Sequence, residues 1–389
     1  MNPPIPREFP AIQARRRQID LDSGKFLHLW QGPQHPGVAG NMALELITQG
    51  DEVWFLKTHV GYLHRGFEKL IERRTFIQSF PLVCRIAVPE PAFNEYLFCA
   101  CLEALAGIPV PEKAQWLRTF NLELMRLASF FMWLGGQAAT IGMTAPGQWG
   151  VTYRDYILDI FEEMTGGRIY HMYMMPGGVR ADVDEALIQK TLAVLDVCEH
   201  GLDEIRTIFL DNAVTKLRLQ GLGFISRDMI ESFGIVGPNA RAAGVARDLR
   251  KDQPYLVYDR LDFEVLTETE SDSFARVNLR CREMKQCIQL IRQILRQMPR
   301  TGEIKSKLPP VFTWKIPPGQ IYLKAECTRG EYGYFMQTDG STSPRRIYVR
   351  GPSYTHGVCL METLSVGVNI ADIAALQSSL HVYPPEIER

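Results

Sequence analysis

The residues of this chain that could do chemistry are concentrated in two loops near its N-terminus. Residues 32–36 read Gly-Pro-Gln-His-Pro, and residues 61–66 read Gly-Tyr-Leu-His-Arg-Gly. Loops rich in Gly and Pro hold side chains in place while their backbone stays accessible, and imidazole binds ligands or transfers protons near neutral pH. His35 therefore indicates a site, unless its ring only hydrogen-bonds a backbone carbonyl and shapes the turn.

The other His and Cys residues do not form a metal-binding pattern. His59 and His64 are five residues apart, whereas a spacing of four would place two imidazoles on one helix face. His171 could join them, but no motif that pairs a carboxylate with His accompanies the three. Cys99 and Cys101 point to different faces of a predicted helix, which indicates core residues. We therefore expect the chain to hold no metal.

Composition limits the class of protein and its partners. The net charge is −1 and 46% of the residues are apolar, which predicts a large core and no nucleic-acid partner. Eight cysteines without a Cys-x-x-Cys pair, and no export signal, predict reduced thiols in a cytosolic compartment. The most apolar window, residues 117–134, is too interrupted by polar residues to span a membrane. We expect a protein that is soluble or peripheral on a membrane complex.

Short strands and long helices must position the loops. A helix is predicted from Gly66 to Arg74, and apolar residues recur with helical spacing from about 92 to 300. Strand composition, bounded by turn signals such as Gly50-Asp51, is found at residues 26–31, 41–48, 52–57, 321–327, 332–338 and 346–350. Short helices near residues 353–364 and 370–378 follow the last strand.

This order of elements predicts an α+β fold, with a central helical bundle flanked by small N-terminal and C-terminal β-sheets. The predicted segments are an N-terminal arm (1–24), a small β domain (25–60), a helical bundle (61–310) and a C-terminal β/α segment that closes a cleft (311–389).

Residues 248–262 carry a dense run of alternating charge, interrupted by Tyr and Leu. Such a run is typical of a solvated surface laced with salt bridges. Because the Tyr and Leu side chains would then be exposed to solvent, a polar interface is the alternative interpretation.

Seven loop motifs, taken in order, resemble one family. They are Gly-Pro-Gln-His-Pro at 32–36, Gly-Tyr-Leu-His-Arg-Gly-Phe-Glu-Lys at 61–69, Pro-Gly-Gly-Val at 176–179, Gly-Pro-Asn-Ala-Arg at 237–241, Asp-Leu-Arg-Lys at 248–251, Tyr-Asp-Arg-Leu-Asp-Phe at 258–263 and Gly-Glu-Tyr-Gly at 330–333. Each motif alone is weak, but their order over residues 28–389 is specific. The motifs resemble the D subunit of bacterial NADH:quinone oxidoreductase, respiratory complex I, within the nickel–iron hydrogenase large-subunit superfamily.

The resemblance implies a fold and a set of partners. It implies the hydrogenase large-subunit fold without its metal, packed against the B subunit, which carries an iron–sulfur cluster. Quinone enters a cleft between the two and is reduced there, and the reaction drives ion pumping. Further partners would be the C subunit, other complex I subunits and the membrane arm, at the cytoplasmic side of the cell membrane. The isolated chain would bind no cofactor and be inactive.

The same resemblance locates the metal ligands of the hydrogenases. Their four cysteines align with Ala87, Glu90, Tyr383 and Glu386. No thiolate remains at these positions to hold nickel, so hydrogenase activity is not expected.

The family's quinone contacts are also replaced. A His donor in the first loop aligns with Ala39, a Tyr donor with Val88, and the Asp that orients the His with Thr140. His35 and Arg65 are retained, which leaves them as the expected polar contacts, with His35 as the catalytic candidate. A His near the partner's cluster aligns with Tyr170, beside His171, and Arg65 is also expected near that cluster. The three losses form one hydrogen-bonded unit and look replaced together.

Two hypotheses remain. In the first, the chain is a working D subunit that holds quinone, or another acceptor, differently. In the second, it is a non-catalytic coupling subunit of an energy-converting hydrogenase-related membrane complex, without quinone or metal chemistry of its own. The match at 237–263 favours the first, whereas the lost donors favour the second.

Overall fold

A computed structural model describes residues 14–310 and 313–389. Most of the predicted N-terminal arm, residues 1–13, lies outside the described residues. The predicted boundary between residues 310 and 311 coincides with the second gap, and the segment boundaries stay predictions.

The first sheet is antiparallel and carries the first loop between two of its strands. Its strands lie in the order β1 (Leu27–Gln31), β2 (Ala43–Gln49) and β3 (Glu52–His59). In β2, Leu44 and Leu46 are fully buried while Glu45 between them is only half-buried, as alternation on a one-sided sheet requires. The predicted strands are thus confirmed, within two residues at each end.

A helical region follows, built around one central helix. Helix α4 (Glu112–Thr140) is buried on nearly every side and packs against α5, α11 and α13, as its all-round apolar sequence requires. The helices of this region are α1 (Phe67–Glu72), α2 (Phe76–Val83), α3 (Pro91–Ala106), α4, α5 (Thr144–Thr165), α6 (Glu185–Ile205), α7 (Ala213–Leu219), α8 (Arg227–Phe233), α9 (Pro238–Arg241), α10 (Leu249–Asp252) and α11 (Ser273–Gln297). A two-stranded ribbon, β4 (Met174–Met175) and β5 (Gly178–Val179), interrupts them.

A second three-stranded antiparallel sheet and short helices complete the chain. The sheet has the order β6 (Gly319–Cys327), β7 (Gly330–Thr338) and β8 (Arg346–Arg350), and it packs on α3. After a wide helical turn (Thr355–Leu360) come α12 (Met361–Leu364), α13 (Ile373–Leu380) and α14 (Pro384–Ile387). The α+β class is confirmed. Among the described residues, no helix is both long and apolar enough to cross a membrane.

The two ends of the chain share a hydrophobic core. Leu44 and Leu46 of the first sheet belong to the same buried cluster as Leu376, Leu380 and Ile387. Because this packing joins β2 to α13 and α14, it brings the first loop close to the C-terminal segment.

The charged run at 248–262 is only in part the solvated surface that its sequence predicts, because residues 248–250 and Tyr258 are buried. Arg250 lies 2.7 Å from Asp248 and 3.2 Å from Glu123 of α4, and Tyr258 donates to the same Glu123 over 2.7 Å. Buried charges are tolerated when each meets an opposite charge and further hydrogen bonds. Residues 251–254 and 259–260 face solvent, and Arg260 pairs with Glu112 there over 2.6 Å.

Candidate functional site

The first loop, residues 32–42, is shaped by the ring of His35. The Gly37 N–H donates to His35 Nδ1 over 3.1 Å, and the His35 carbonyl accepts from the Val38 N–H over 3.0 Å. Val38 is buried in the core and anchors the loop. The predicted turn-shaping role is therefore real, although the partner is a backbone N–H rather than a carbonyl. The exposed ring keeps Nε2 without a hydrogen-bond partner among the described residues, so it can still contact a ligand.

The second loop, residues 60–66, is held by the C-terminal segment, residues 381–389. The Leu63 N–H donates to the Glu388 carboxylate, and His64 Nδ1 donates to the Glu388 carbonyl. Arg65 is exposed, and its guanidinium lies over the Phe67 ring at 5.4 Å. No ion pair neutralises Arg65 within the described part of the chain, so its charge is available to a partner.

The same C-terminal segment also touches the first loop. Gly40 adopts φ +69°, and a Cβ there would lie 2.6 Å from Pro384 Cδ. Both the left-handed backbone and the close approach require glycine. The C-terminal segment thus fixes the two loops relative to one another.

Residues 168–174 form a third wall, which is fixed by a buried carboxylate. Glu95 accepts from the Met172 N–H over 2.8 Å and from the Met174 N–H over 3.1 Å. Burial raises the pKa of Glu95 to about 7. The Tyr170 ring, in the same segment, lies under the Arg85 guanidinium at 4.3 Å.

His171 is a packing residue in this wall. Its side chain is buried, its ring stacks on Phe161 with centroids 4.1 Å apart, and Nε2 donates to the Arg168 carbonyl over 3.2 Å. Burial lowers the pKa of His171 to about 4, so its imidazole is neutral at physiological pH. Nδ1 is buried without a hydrogen-bond partner in the part of the chain that the structure describes.

The two remaining predicted positions lie at element ends. Val88 is half-buried in the turn after α2. Thr140 ends α4, and its hydroxyl donates to the Gln137 carbonyl over 2.7 Å. Gln137 Nε2 donates to the Ala375 carbonyl over 3.4 Å. Since a Cβ at Gly37 would lie 3.6 Å from Ala374, α13 runs between Thr140 and the first loop.

Seven residues were predicted for the site, and their place in one cleft stays a prediction. Among the described side chains, no hydrogen bond or ring contact joins two of them. The seven are His35, Ala39, Arg65, Val88, Thr140, Tyr170 and His171.

The positions that align with hydrogenase metal ligands do converge. Arg329 Nη1 lies 3.1 Å from Glu90 Oε2, its Nη2 pairs with Glu386, and its guanidinium stacks on the Tyr383 ring at 3.9 Å. Ala87 is buried one turn before Glu90. An arginine between two carboxylates therefore fills this place. Within residues 14–310 and 313–389, no cluster of three or more His, Cys, Asp or Glu side chains could hold a metal ion.

Sequence reasoning missed the residues that complete this cluster. Arg329 follows a predicted strand, and Ser129 is a single hydroxyl in an apolar helix, so neither carries a local signal. Arg154 of α5 is half-buried, has no ion-pair partner among the described residues, and its charge acts on both Tyr383 and His171. Burial lowers the pKa of Arg154 below its ordinary value.

A separate cavity of about 720 Å³ lies between α8, α10 and the edge of the second sheet. None of the seven predicted residues lines it. Three of its charged groups are paired with one another, since Glu331 lies 3.1 Å from Lys324 and 3.4 Å from Arg350. The cavity is therefore distinct from the predicted cleft.

Comparison with known proteins finds relatives of this chain. Residues 140–314 and 310–389 match the family model described as respiratory-chain NADH dehydrogenase, 49 kDa subunit. The D subunit of the NADH-quinone oxidoreductase of Thermosipho melanesiensis is 41% identical over 93% of this chain and 99% of its own. The D subunit of the F420H2 dehydrogenase of Methanosarcina mazei is 36% identical over 95% of this chain and 99% of its own.

A solved structure extends the likeness to three dimensions. A chain of the membrane-bound sulfane sulfur reductase, an archaeal respiratory membrane complex, superposes with a TM-score of 0.92 at 36% identity. The match covers 95% of this chain and 100% of that chain.

Proposed function

Since this chain belongs to the family of the 49 kDa subunit of respiratory-chain NADH dehydrogenase, we propose that it forms, with an iron–sulfur subunit, the cleft in which a quinone is reduced. The likeness to a D subunit over nearly the whole of both chains carries this proposal. The partners are the iron–sulfur B subunit, the C subunit, other complex I subunits and the membrane arm, with attachment at the cytoplasmic side of the cell membrane. The isolated chain is inactive.

The partner's iron–sulfur cluster supplies electrons when the complex is assembled. This chain supplies the walls of the cleft and its polar contacts. Arg65 brings an unpaired positive charge to the rim, where it stabilises negative charge that develops on the cluster or the acceptor. His35 brings an exposed imidazole whose free Nε2 can hydrogen-bond a headgroup. Ala39, Val88 and Thr140 line the remainder, with Tyr170 and His171 on the side of the cluster.

The hypothesis of a non-catalytic coupling subunit is not favoured. The relatives named above are subunits of oxidoreductases, and the likeness covers nearly all of each chain. Energy coupling stays part of the proposal, because ion translocation follows from the reduction of the acceptor.

A sulfane-sulfur compound is the second candidate for the acceptor. It is favoured by the match to a sulfane sulfur reductase, together with the replacement of the family's quinone donors at Ala39, Val88 and Thr140. Purified complex, supplied with NADH and each acceptor in turn, distinguishes the two. Quinone reduction without sulfide release supports quinone, and the reverse supports sulfane sulfur.

The test of the quinone proposal is His35→Ala in the assembled complex. Loss of a hydrogen bond to the headgroup should lower the NADH:quinone rate about tenfold. His200→Ala is the matched control, because His200 is also an exposed histidine but lies on α6 and pairs only with Glu204 at 3.5 Å. If His35→Ala and His200→Ala reduce quinone equally fast, His35 does not belong to the site.

A further inference from the structure

Four polar side chains form an unbroken chain of hydrogen bonds beside Arg329. Ser129 Oγ donates to Glu90 Oε1 over 2.9 Å, and it lies 2.9 Å from the Tyr383 hydroxyl. The Tyr383 hydroxyl in turn lies 2.7 Å from His381 Nε2. We call these four residues the relay: Glu90, Ser129, Tyr383 and His381.

We propose that the relay supplies protons to the acceptor in the cleft, in place of the donors that the family resemblance finds missing at Ala39 and Val88. The inference rests on the proposed function, because it assumes that an acceptor is reduced there. It adds a route for protons that the retained residues do not provide.

The hydrogen bonds of the relay can point in either direction. With Glu90 ionised, His381 Nε2–H donates to Tyr383, Tyr383 donates to Ser129, and Ser129 donates to Glu90. With Glu90 protonated, every donor and acceptor is reversed. Each group can both donate and accept, so moving one proton through the chain converts one arrangement into the other.

Burial protects the hydrogen bonds of the relay and shifts the pKa of Glu90 and His381 at its two ends. Glu90, Ser129 and His381 are nearly inaccessible to solvent, so bulk water does not compete for their hydrogen bonds. Burial raises the pKa of Glu90, although Arg329 opposes this, and the carboxyl can therefore store a proton. Burial also lowers the pKa of His381 well below its usual range, which keeps a neutral imidazole that accepts on one nitrogen while it releases from the other.

A second observation indicates that the hydrogen-bonded chain extends beyond His381, which is the inner end of the relay. Among the described residues, His381 Nδ1 is buried without a hydrogen-bond partner, and so are both ring nitrogens of the fully buried His356. Buried polar atoms in folded proteins are nearly always hydrogen-bonded, to ordered water where no protein group is available. Water at these nitrogens would supply His381 with protons.

Tyr383 is the outlet of the relay. Unlike the other three, it is partly exposed. Its ring stacks on Arg329, which is paired with Glu90 and Glu386, and the half-buried Arg154 places a positive charge near it. The charge of Arg154 favours an acceptor that becomes negative as electrons arrive.

The proposed step balances for a quinone. Two electrons come from the partner's iron–sulfur carrier, and two protons are needed to form the quinol. The step begins with Glu90 protonated and with the His381 hydrogen on Nε2, so that Tyr383 accepts from both Ser129 and His381 and donates to the quinone. For the first proton, the Tyr383 O–H bond breaks and an O–H bond forms on the quinone; Ser129 reprotonates Tyr383, and Glu90 reprotonates Ser129. For the second, Tyr383 again gives its proton to the quinone and is reprotonated from His381 Nε2, while His381 Nδ1 takes a proton from water. Between turnovers one further proton recharges Glu90, and exchange with water returns the His381 hydrogen to Nε2.

The test uses the assembled complex with Tyr383→Phe and Ser129→Ala. Each variant should lower the NADH:quinone rate about tenfold or more, as loss of a positioned proton donor does. NADH should still reduce the partner's clusters. In the steady state these clusters should be more reduced than in the wild type, because slow protonation of the quinone slows the transfer of electrons to it. Ser129→Thr, which keeps the hydroxyl, should restore the rate. Should Tyr383→Phe fail to assemble, the Ser129 pair alone decides.

The matched control is Tyr334→Phe. Tyr334 is another buried tyrosine whose hydroxyl donates to a side chain, Asn94 over 2.7 Å, and Tyr332 still occupies that acceptor in the variant. This variant should keep the wild-type rate. If the wild-type complex reduces quinone and both relay variants stay within twofold of it, the relay is wrong while the function stands. A wild-type complex that reduces no quinone overturns both.

Discussion

At the scale of single residues, charge pairing occupies the positions that the family resemblance aligns with metal ligands. Glu90, Tyr383 and Glu386 surround Arg329 there. Burial opposes the charge on Arg329, but the two carboxylates raise its pKa well above the usual range. Taking one partner from such a buried group typically costs several kcal/mol. The cluster is therefore a rigid element of the site, on which the relay depends.

A second buried carboxylate makes stability depend on pH. Burial raises the pKa of Glu95 from 4.5 to about 7, so the folded state binds more protons than the unfolded state between these values. The stabilisation is complete below pH 4.5 and is lost as pH rises through 7. We expect the free energy of unfolding of the wild-type chain to fall by about 3 kcal/mol across this window, relative to Glu95→Gln.

Denaturant unfolding of the two full-length chains at a series of pH values measures this difference. Glu231→Gln is the control, because it removes an exposed carboxylate and should not change the pH dependence. A wild-type-minus-Glu95→Gln difference that stays constant from pH 4.5 to 7 would show that Glu95 does not titrate differently in the folded chain.

At the scale of elements, one glycine contact sets the position of Arg329. Gly237, before α9, has φ +67°, and a Cβ there would lie 2.3 Å from the Arg329 carbonyl oxygen. The free energy of unfolding of the Gly237→Ala variant should therefore be lower by about 3 kcal/mol or more, because of both the left-handed backbone and the overlap. Gly221→Ala separates the two costs, since Gly221 has φ +74° with nothing within 4 Å.

Thermal or denaturant unfolding of both variants checks this prediction. Gly221→Ala should lose only about 1 kcal/mol, the cost of the backbone conformation. If the free energy of unfolding falls equally in the two variants, the turn at Arg329 moves without an energetic penalty, and Gly237 does not fix the position of Arg329.

Elements were predictable where their pattern is local. The strands of both sheets alternate or follow turn signals, and α4 is apolar all round, so their types could be predicted from the sequence. The charged run at 248–262 could not, because its alternation looks alike on a surface and in a buried network. What decides is Glu123, a partner more than a hundred residues away. The relay was hidden for the same reason, since Ser129 and Tyr383 lie 254 residues apart.

At the scale of the whole molecule, the C-terminal segment joins the parts of the site. It touches the first loop at Gly40, holds the second loop through Glu388, and carries Tyr383. The loops, with His35 and Arg65, could be selected from the sequence as candidates for binding, and that role stays a prediction. The segment that holds them together could not, because its contacts exist only after the first sheet and α13 share one core.

The last prediction follows from this arrangement. A chain that stops after Ile387 lacks the Glu388 groups that accept from the Leu63 N–H and from His64 Nδ1. It also lacks Arg389, which pairs with Glu68 over 3.0 Å. The cores do not depend on these two residues, so the fold should persist while the second loop opens. Hydrogen exchange at residues 61–66 should then be about tenfold faster or more, with β6–β8 unchanged.

Arg389→Ala separates the two contacts, because it keeps Glu388 and should leave exchange at Leu63 slow. In the assembled complex, the truncated chain should also reduce quinone more slowly, since Arg65 and His35 lose their common support. We expect the rate of quinone reduction to be highest in the wild type, lower with Arg389→Ala and lowest with the truncated chain. If exchange at residues 61–66 is the same in all three, the second loop holds its shape unaided, and the C-terminal segment does not couple the two loops.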